Sequence, residues 1–181
     1  MTVELKAHDP EWKVAFATEA ELLRHAFGAP LIAVHHIGST AIPGIMAKPI
    51  IDILCVVDSL SSVDAANSRM IANGYVPKGE NGIVGRRYFQ KFDGDGVRSH
   101  HIHVFQTGSP HIERHLAFRD YLIAHPDKAQ AYSAWKTELL QSGIVTREAY
   151  QNGKSCVVEL LQSEALCWYH DNRDPQAHAD G

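Results

Sequence analysis

The order of apolar patterns along the chain predicts an α/β or α+β fold, in which a mixed β-sheet carries a C-terminal layer of helices. Two short, continuous apolar runs at 31–37 and 50–57 are typical of strands that are covered on both faces. From residue 109 onward, the apolar residues recur at helical spacing instead. The predicted order is helix, two strands, helix, three strands and three helices.

The first helix is predicted from its start and stop signals. Asp9 can cap it, Pro10 suits its first turn, and Glu11 complements the positive end of the helix dipole. Gly28 ends the helical pattern shortly before the first apolar run begins. We therefore expect this helix to lead directly into the first strand.

The middle of the chain is predicted to form a helix followed by a three-stranded meander. Ser61 or Ser62 can cap this helix, and Gly74 closes it. Turns rich in glycine, asparagine and aspartate at 79–82 and 93–96 separate the strands. The strands are expected at 75–78, 86–92 and 101–106.

The C-terminal helical pattern is divided into three segments by Pro126 and Gly143. We expect a single domain over residues 1–170, followed by a polar, frayed tail over 171–181. The three helices are predicted at 109–124, 127–142 and 146–168.

The composition argues against several classes of protein. A formal net charge of −4 over 181 residues argues against general nucleic-acid binding. The three cysteines are too few and too scattered for a disulfide framework. The sequence has no N-terminal secretion signal and no run of about eighteen apolar residues, so we expect a cytoplasmic protein without a membrane segment.

The strongest candidate site joins the end of the first strand to the start of the second. Asp52 is the one carboxylate in the second apolar run, and a buried carboxylate is costly unless a cation, a donor or water satisfies it. Gly38 lets a phosphate approach the backbone closely, and Ser39 and Thr40 add donors. The carboxylate could then hold the metal ion that neutralises those phosphates. The alternative is a tight turn beside a structural aspartate.

Two histidines of a later strand are the next candidates. His101 and His103 alternate with apolar residues, so they point to one side of the strand and could face Asp52. An aspartate with two histidines favours Mn²⁺, Fe²⁺, Zn²⁺ or Co²⁺ over Mg²⁺. The same set could act as a metal-free acid–base group, because histidine titrates near neutral pH. The alternative is that both rings form structural hydrogen bonds.

Further side chains could complete such a site. His36 lies at the end of the first strand, and Glu80 could supply a missing carboxylate from a turn. Lys48, Arg87 and Arg119 are the preferred cations for an anionic ligand, because arginine binds phosphate through two N–H groups and lysine acts as a point charge. The alternatives are a solvated turn for Glu80 and a structural ion pair for Arg119. The other cations considered are Arg86, Arg98 and Lys154.

One pattern that suggests a zinc site is set aside. His111 and His115 stand one helical turn apart, but Glu113 does not occupy the position that a metalloprotease requires. We expect this pair to be ordinary helix surface.

A longer motif is similar to a known family. The segment HHIGSTAIPGIMAKPIIDI resembles the signature of the GrpB family, and the similarity covers nearly the whole chain. Related domains are fused to some dephospho-coenzyme A kinases. Weaker matches are the segments DPEW, HIHVF and FRDYL and the pair Tyr150 and Lys154.

The resemblance implies a nucleotidyltransferase-like core. In that superfamily, a Gly-Ser turn is followed by two alternating acidic residues and a third acidic residue on a later strand, which together hold divalent metal. Gly38, Ser39 and Asp52 match this pattern. Leu54 stands where the second acidic residue belongs, and the later strand offers histidines. Because Mg²⁺ requires hard oxygen ligands, this departure puts ordinary nucleotidyl transfer in doubt.

The sequence therefore supports two hypotheses from different classes. In the first, the protein binds a nucleotide or other phosphorylated small molecule and catalyses metal-assisted nucleotidyl or phosphoryl transfer, with Mg²⁺ or Mn²⁺ preferred to Zn²⁺. In the second, it is a non-catalytic accessory module linked to coenzyme A biosynthesis or protein folding, which the Leu54 departure favours. A metal-dependent hydrolase or lyase built on the histidines is a third option. The sequence does not indicate a protein partner.

Overall fold

The computed structural model describes residues 4–142 and 147–173, with only the backbone described for 147–156 and 173. Within these ranges, no helix combines the length and apolarity needed to cross a membrane. The strands are β1 (Leu31–Ile37), β2 (Ile51–Val57), β3 (Tyr75–Pro77), β4 (Arg86–Phe92) and β5 (Arg98–Gln106). The helices are α1 (Glu11–Phe27), α2 (Leu60–Ala65), α3 (Asn67–Ala72), α4 (Pro110–Ala124), α5 (Pro126–Gln141) and α6 (Arg147–Arg173), with a short 3₁₀ helix at Ser39–Ala41.

The five strands form one mixed sheet in the order β1-β2-β5-β4-β3. β2 and β5 are parallel, whereas β1 with β2, β4 with β5, and β3 with β4 are antiparallel pairs. This mixed sheet and its helical layer confirm the predicted fold class. Because β2 lies between β1 and β5, Asp52 on β2 stands opposite Ile37 on one side and His101 on the other.

One face of the sheet is closed by α1, α2 and α3. Ile53, Phe89 and Val104 point to this face and pack with Leu23 and Phe27 of α1 in the main apolar core. Burying side chains of this size stabilises the fold by about 1.5–3 kcal/mol each. This closed face fixes the register of the strands, because a slip of one residue would expose the whole apolar set.

The opposite face, which we call the cleft face, is apolar at one end only. Leu54 and Phe105 are fully buried there and pack with Ile37 in a small cluster. Ile112 and Leu116 of α4 cover this cluster. The other end of the cleft face carries the polar residues of the candidate site.

The C-terminal helices hold the connection between β1 and β2 in place. Ile42 and Ile45 of this connection are buried among apolar residues of α4, α5 and α6. The backbone N–H of Met46 also donates a hydrogen bond to Ser133 Oγ of α5 at 2.8 Å. The segment that follows Gly38 is therefore fixed by a packed layer.

Several boundaries differ from the sequence-based expectations. The helix expected between the second and third strands is two short helices that meet at Ala66. β5 begins at Arg98, earlier than predicted, and α6 continues to Arg173, into the segment expected to be frayed. The predicted break at Gly143 and the segment 174–181 lie outside the described residues.

Candidate functional site

Asp52 is the centre of the polar end of the cleft face. Its side chain is 30% exposed, although the surrounding strand is buried. One carboxylate oxygen, Oδ1, lies 3.1 Å from His101 Nδ1 and 3.6 Å from His103 Nε2. A single oxygen atom therefore faces two imidazoles, on the side of β5 that the alternation of the sequence predicts.

The other carboxylate oxygen faces the bend at Gly38. Gly38 has φ +70°, a left-handed conformation that favours glycine. A Cβ atom at this position would lie 2.7 Å from Asp52 Oδ2 and 3.1 Å from Asp52 Cβ. The glycine bend and the carboxylate are thus in direct proximity, and any larger residue at the bend would displace Asp52.

Thr40 and His36 form a supporting network behind this bend. The Thr40 side chain is buried, and its hydroxyl lies 3.0 Å from His36 Nε2 and 3.4 Å from the carbonyl oxygen of Ile50. The His36 ring stacks on Phe16 of α1 with centroids 4.9 Å apart. Burial chiefly lowers the pKa of His36 to about 4, so the ring is neutral at pH 7. His36 thus links β1 to the 3₁₀ helix through Thr40 and to α1 through Phe16.

Lys136 of α5 supports the bend at Gly38 from the C-terminal helical layer. It is not among the site residues predicted from the sequence. It is only 1% exposed, and its Nζ donates a hydrogen bond to Ser39 Oγ at 3.2 Å and another to the Met46 carbonyl. The Nζ atom also lies 4.5 Å from the centroid of the Tyr132 ring. A signal was present, because Ala129, Tyr132, Ser133 and Lys136 form the buried stripe of α5 at helical spacing.

The electrostatics keep Asp52 ionised. Burial acts to raise the pKa of Asp52, but its interactions with His101 and His103 outweigh burial and lower that pKa well below its usual range. Burial lowers the pKa of His103 despite the nearby carboxylate. At pH 7 the site therefore combines an aspartate anion with a neutral His103.

Arg86 and Tyr88 of β4 fix the orientation of His103. Arg86 Nη1 lies 3.4 Å from His103 Nδ1, and its other N–H groups donate to the carbonyl oxygens of Glu80 and Asn81. Because arginine only donates, Nδ1 accepts, which assigns the proton of the neutral ring to Nε2, facing Asp52. The Tyr88 ring lies 5.2 Å from the His103 ring.

His101 has one ring nitrogen in use and one without a partner. A carboxylate accepts hydrogen bonds, so the proton of a neutral His101 ring is assigned to Nδ1, beside Asp52. The Nε2 atom is buried and has no hydrogen-bond partner among the described residues. In this tautomer it is a proton acceptor, oriented through Asp52.

The predicted cations are distributed over different parts of the molecule. Arg87 points to the closed face and forms two hydrogen bonds with Asp64 of α2, at 2.6 and 2.8 Å. Arg119 pairs with the neighbouring Asp120 and donates to the His36 carbonyl oxygen at 3.0 Å. Lys48 is half-buried in the loop before β2, and the side chain of Lys154 lies outside the described residues.

The carboxylates do not form the acidic set that two magnesium ions require. Glu80 accepts a hydrogen bond from the backbone N–H of Gly85 at 2.8 Å and does not contact Asp52. Leu54, the next residue on the cleft face of β2, is fully buried. No group of three or more histidine, cysteine, aspartate or glutamate side chains is placed to hold a metal ion in the part of the chain that the structure describes. These residues therefore do not fit a two-metal site.

The expectation that His111 and His115 are ordinary helix surface is wrong. Both are half-buried, because α4 lies across the cleft face. The His115 ring is 5.4 Å from the His103 ring, and the His111 ring stacks on Phe105 at 5.2 Å. The helical pattern alone does not show which layer covers α4, so this contact could not be predicted from spacing.

The sheet order and the helices place this chain among proteins with a nucleotidyltransferase-like fold. A crystal structure of the Cid1 poly(U) polymerase superposes on this chain with a TM-score of 0.52 and 15% sequence identity. The match covers 73% of this chain and 43% of the Cid1 chain. At this identity the likeness shows the fold alone.

The chain belongs to the GrpB family, whose model, described as GrpB protein, matches residues 2–164. The crystal structure of GrpB from Enterococcus faecalis has a TM-score of 0.87 and 35% identity, covering 92% of this chain and 99% of that one. UPF0157 protein YqkA of Bacillus subtilis is 46% identical over 92% of this chain, which spans only 48% of YqkA. A dephospho-CoA kinase of Mycolicibacterium paratuberculosis is 30% identical over 82% of this chain and 42% of its own length.

Proposed function

We propose that the cleft beside Gly38 and Asp52 binds a nucleotide or another phosphorylated small molecule. The observation that carries this proposal is the direct approach of the Gly38 bend to the Asp52 carboxylate. The absent Cβ leaves room for the Asp52 carboxylate directly at the bend, so that Asp52 would lie beside a phosphate held by the backbone and hydroxyl donors of residues 38–40. The buried Lys136, which donates to Ser39, adds a positive charge behind the same bend.

The chemistry that fits this site is attack of a hydroxyl on a phosphoryl centre. His101, held through Nδ1 by Asp52, would accept the proton of the attacking hydroxyl at Nε2 once the ligand has displaced the side chains that cover this atom. Asp52 would orient the ring and stabilise the imidazolium that forms, as carboxylates do in other aspartate–histidine pairs. The phosphate-bearing leaving group would depart on the opposite side of the phosphorus.

The binding of a divalent cation at Asp52 is an expectation separate from the proton transfer to His101. One carboxylate and two histidines are too few hard oxygen ligands for a pair of magnesium ions. A single Mn²⁺ would suit the mixed donors better. We therefore propose no catalytic step through a metal, and the experiment below includes the metal as a variable.

A second candidate function is a binding module without turnover. Leu54, in place of a second acidic residue, favours it, because transfer chemistry at such a site depends on neutralising phosphate charge. The relatives named dephospho-CoA kinase suggest that such a module could be joined to coenzyme A biosynthesis. It would then bind a coenzyme A precursor and leave the reaction to another domain.

The test compares ligand binding and turnover by the wild type and by Asp52→Asn. ATP, CTP, GTP and coenzyme A fragments are titrated by calorimetry with EDTA, Mg²⁺ or Mn²⁺, and products are followed by ³¹P NMR. Asp95→Asn, which removes an exposed carboxylate from the turn between β4 and β5, is the control. We expect the wild type and the control to bind at least one of these ligands.

The outcomes separate the alternatives. If Asp52 acts through His101, Asp52→Asn retains binding and lowers turnover roughly 10²-fold or more. If Asp52 holds a metal ion, the variant instead loses the binding that Mg²⁺ or Mn²⁺ supports. Binding without turnover in the wild type favours the accessory module. The proposal is wrong if no phosphorylated ligand binds, and the role of Asp52 is wrong if the wild type turns over its ligand and Asp52→Asn matches it in both assays.

A further inference from the structure

A second polar cluster lies beside the site, where α4 crosses the cleft face. It consists of Arg86 from β4, His103 from β5, and His111, Arg114 and His115 from α4. His103 joins this cluster to Asp52, because its Nε2 faces Asp52 Oδ1 and its Nδ1 accepts from Arg86 Nη1. His103 is one step of strand alternation beyond His101, a displacement on the order of 7 Å along β5.

The two guanidinium groups of this cluster have no carboxylate partner among the described side chains. Arg86 is buried and held by His103 and by two backbone carbonyls, and no described acidic side chain forms an ion pair with it. Arg114 Nε is buried without a hydrogen-bond partner among the described residues, and its Nη2 lies 3.4 Å from His115 Nε2. Both positive charges are therefore left without neutralisation in the described part of the chain.

The groups around this cluster do not supply the missing negative charge. Glu113 of α4 pairs with His170 of α6 at 2.5 Å, so its carboxylate is used elsewhere. Burial, followed by the influence of His103 and Arg114, lowers the pKa of His115 to about 3. Burial, and after it the charge of Arg114, also lowers the pKa values of Arg86 and His111. At pH 7 the imidazoles are thus neutral, and the charge of the cluster comes from the arginines.

We infer that Arg86, Arg114 and His115 form an anion subsite that binds the distal phosphate of a diphosphate or triphosphate without a metal ion. Arginine suits this role because its planar N–H groups match phosphate oxygens. The guanidinium groups would supply the positive charge that metal ions held by acidic residues supply in the superfamily, because this chain has Leu54 in place of one of those acidic residues. Identification of the ligand as a nucleotide rests on the proposed function, whereas the subsite itself requires only linked phosphates.

The test measures binding of inorganic pyrophosphate, ADP and AMP by calorimetry in EDTA. The variants are Arg114→Gln and Arg114→Lys, with Arg24→Gln as a charge-matched control on the exposed surface of α1. We expect the wild type and Arg24→Gln to bind pyrophosphate and ADP more tightly than AMP. Arg114→Gln should weaken pyrophosphate and ADP binding about tenfold or more, and Arg114→Lys should weaken it less.

A measurement on the wild type keeps the inference testable if the variants fail to fold. Pyrophosphate in EDTA should shift the imidazole NMR signals of His111 and His115 but leave that of the exposed His25 unchanged. Unchanged signals at all three histidines would overturn the subsite. Equal pyrophosphate affinity of wild type and Arg114→Gln would also overturn it.

The subsite and the proposed function can fail separately. If ADP binding is insensitive to Arg114→Gln but is lost in Gly38→Ala, the subsite is wrong and the proposed function stands. If pyrophosphate binds through Arg114 but no nucleotide or coenzyme A fragment binds, the subsite stands and that ligand class is wrong. If the wild type binds no phosphate compound, both are wrong.

Discussion

The two faces of the sheet each contain a carboxylate with histidine neighbours, yet the two sites are built differently. On the closed face, Glu19 of α1 is only 5% exposed and forms an ion pair with Lys91 Nζ at 2.8 Å. The Tyr75 hydroxyl also donates to Glu19, and His100 Nε2 lies 3.8 Å away. The Glu19 carboxylate is thus matched by a permanent cation and a phenol, as expected of a structural ion pair.

On the cleft face, Asp52 has neither of these partners. Its described neighbours are two imidazoles and the Gly38 bend, and its side chain is 30% exposed. Imidazoles change charge near neutral pH, whereas lysine does not. Glu19 thus has the partners of a structural ion pair, whereas the partners of Asp52 are those that the proposed ligand-binding site requires.

The largest effect on stability is expected on the closed face. Lys91→Met leaves Glu19 buried without its cation, which should lower the free energy of unfolding by about 3 kcal/mol. Asp52→Asn should lower it by less than Lys91→Met does, because the amide oxygen can still accept from His101 Nδ1 and the side chain is 30% exposed. Urea unfolding monitored by circular dichroism measures both. Equal losses in the two variants would remove the distinction between the faces.

The next prediction distinguishes two costs of a side chain at Gly38, namely the backbone strain of its positive φ and the steric contact with Asp52. Gly28 and Gly38 have nearly the same φ, +72° and +70°, but a Cβ at Gly28 would meet nothing within 4 Å. Gly28→Ala should therefore lose only the conformational contribution, about 1–3 kcal/mol, because a ψ of −145° at this φ is close to the region that essentially only glycine adopts. Gly38→Ala should lose about 1–2 kcal/mol more, and it should also lose phosphate binding. Parallel urea titrations and calorimetry give the difference; identical losses would show that the bend does not press on Asp52.

A smaller effect is expected from the buried cation behind the bend. Lys136→Met keeps the volume of the side chain but leaves Ser39 Oγ and the Met46 carbonyl without their donor, at a cost of about 1–2 kcal/mol. Lys128→Met, on the same helix, removes an exposed, solvent-screened ion pair with Glu164 and should cost less than Lys136→Met. Thermal unfolding compares the two. A larger loss for Lys128→Met would contradict the assignment of Lys136 to the core of the site.

The last effect is a slope in the dependence of stability on pH, which accumulates over several pH units. The pKa of His115 is lowered to about 3 in the folded protein, so between pH 3 and 6.5 the unfolded chain binds the additional proton. Stability therefore rises with pH across this window. One proton of difference corresponds to a slope of about 1.4 kcal/mol per pH unit, and His115→Gln should lower the slope by up to this amount. The exposed His25→Gln is the control, and equal slopes in both variants would refute the burial of His115.

The sequence was sufficient for the elements whose signals are local. The continuous apolar runs located β1 and β2, and alternation located His101 and His103 on one side of β5. The early start of β5 was missed because its turn is tighter than expected, with the Asp93 N–H bonded to the Val97 carbonyl oxygen at 2.9 Å. Such pairing across a turn depends on how two strands meet, which a single stretch of sequence does not specify.

The parts of the site that come from other layers could not be predicted in this way. Lys136 and His115 are brought to the sheet by α5 and α4, and their positions depend on how the helices pack. Arg87 was preferred to Arg86, although alternation with Tyr88 directs Arg86 to the cleft face and Arg87 to Asp64. The choice between the two required the register of β4 against β5.

The most direct measurement is a crystal structure of the protein grown with ATP in EDTA. We expect the phosphate chain to lie between the Gly38 bend and the imidazoles of His101 and His103, with its distal phosphate at Arg114. A phosphate chain bound elsewhere on the molecule, with Asp52 and Gly38 untouched, would contradict it.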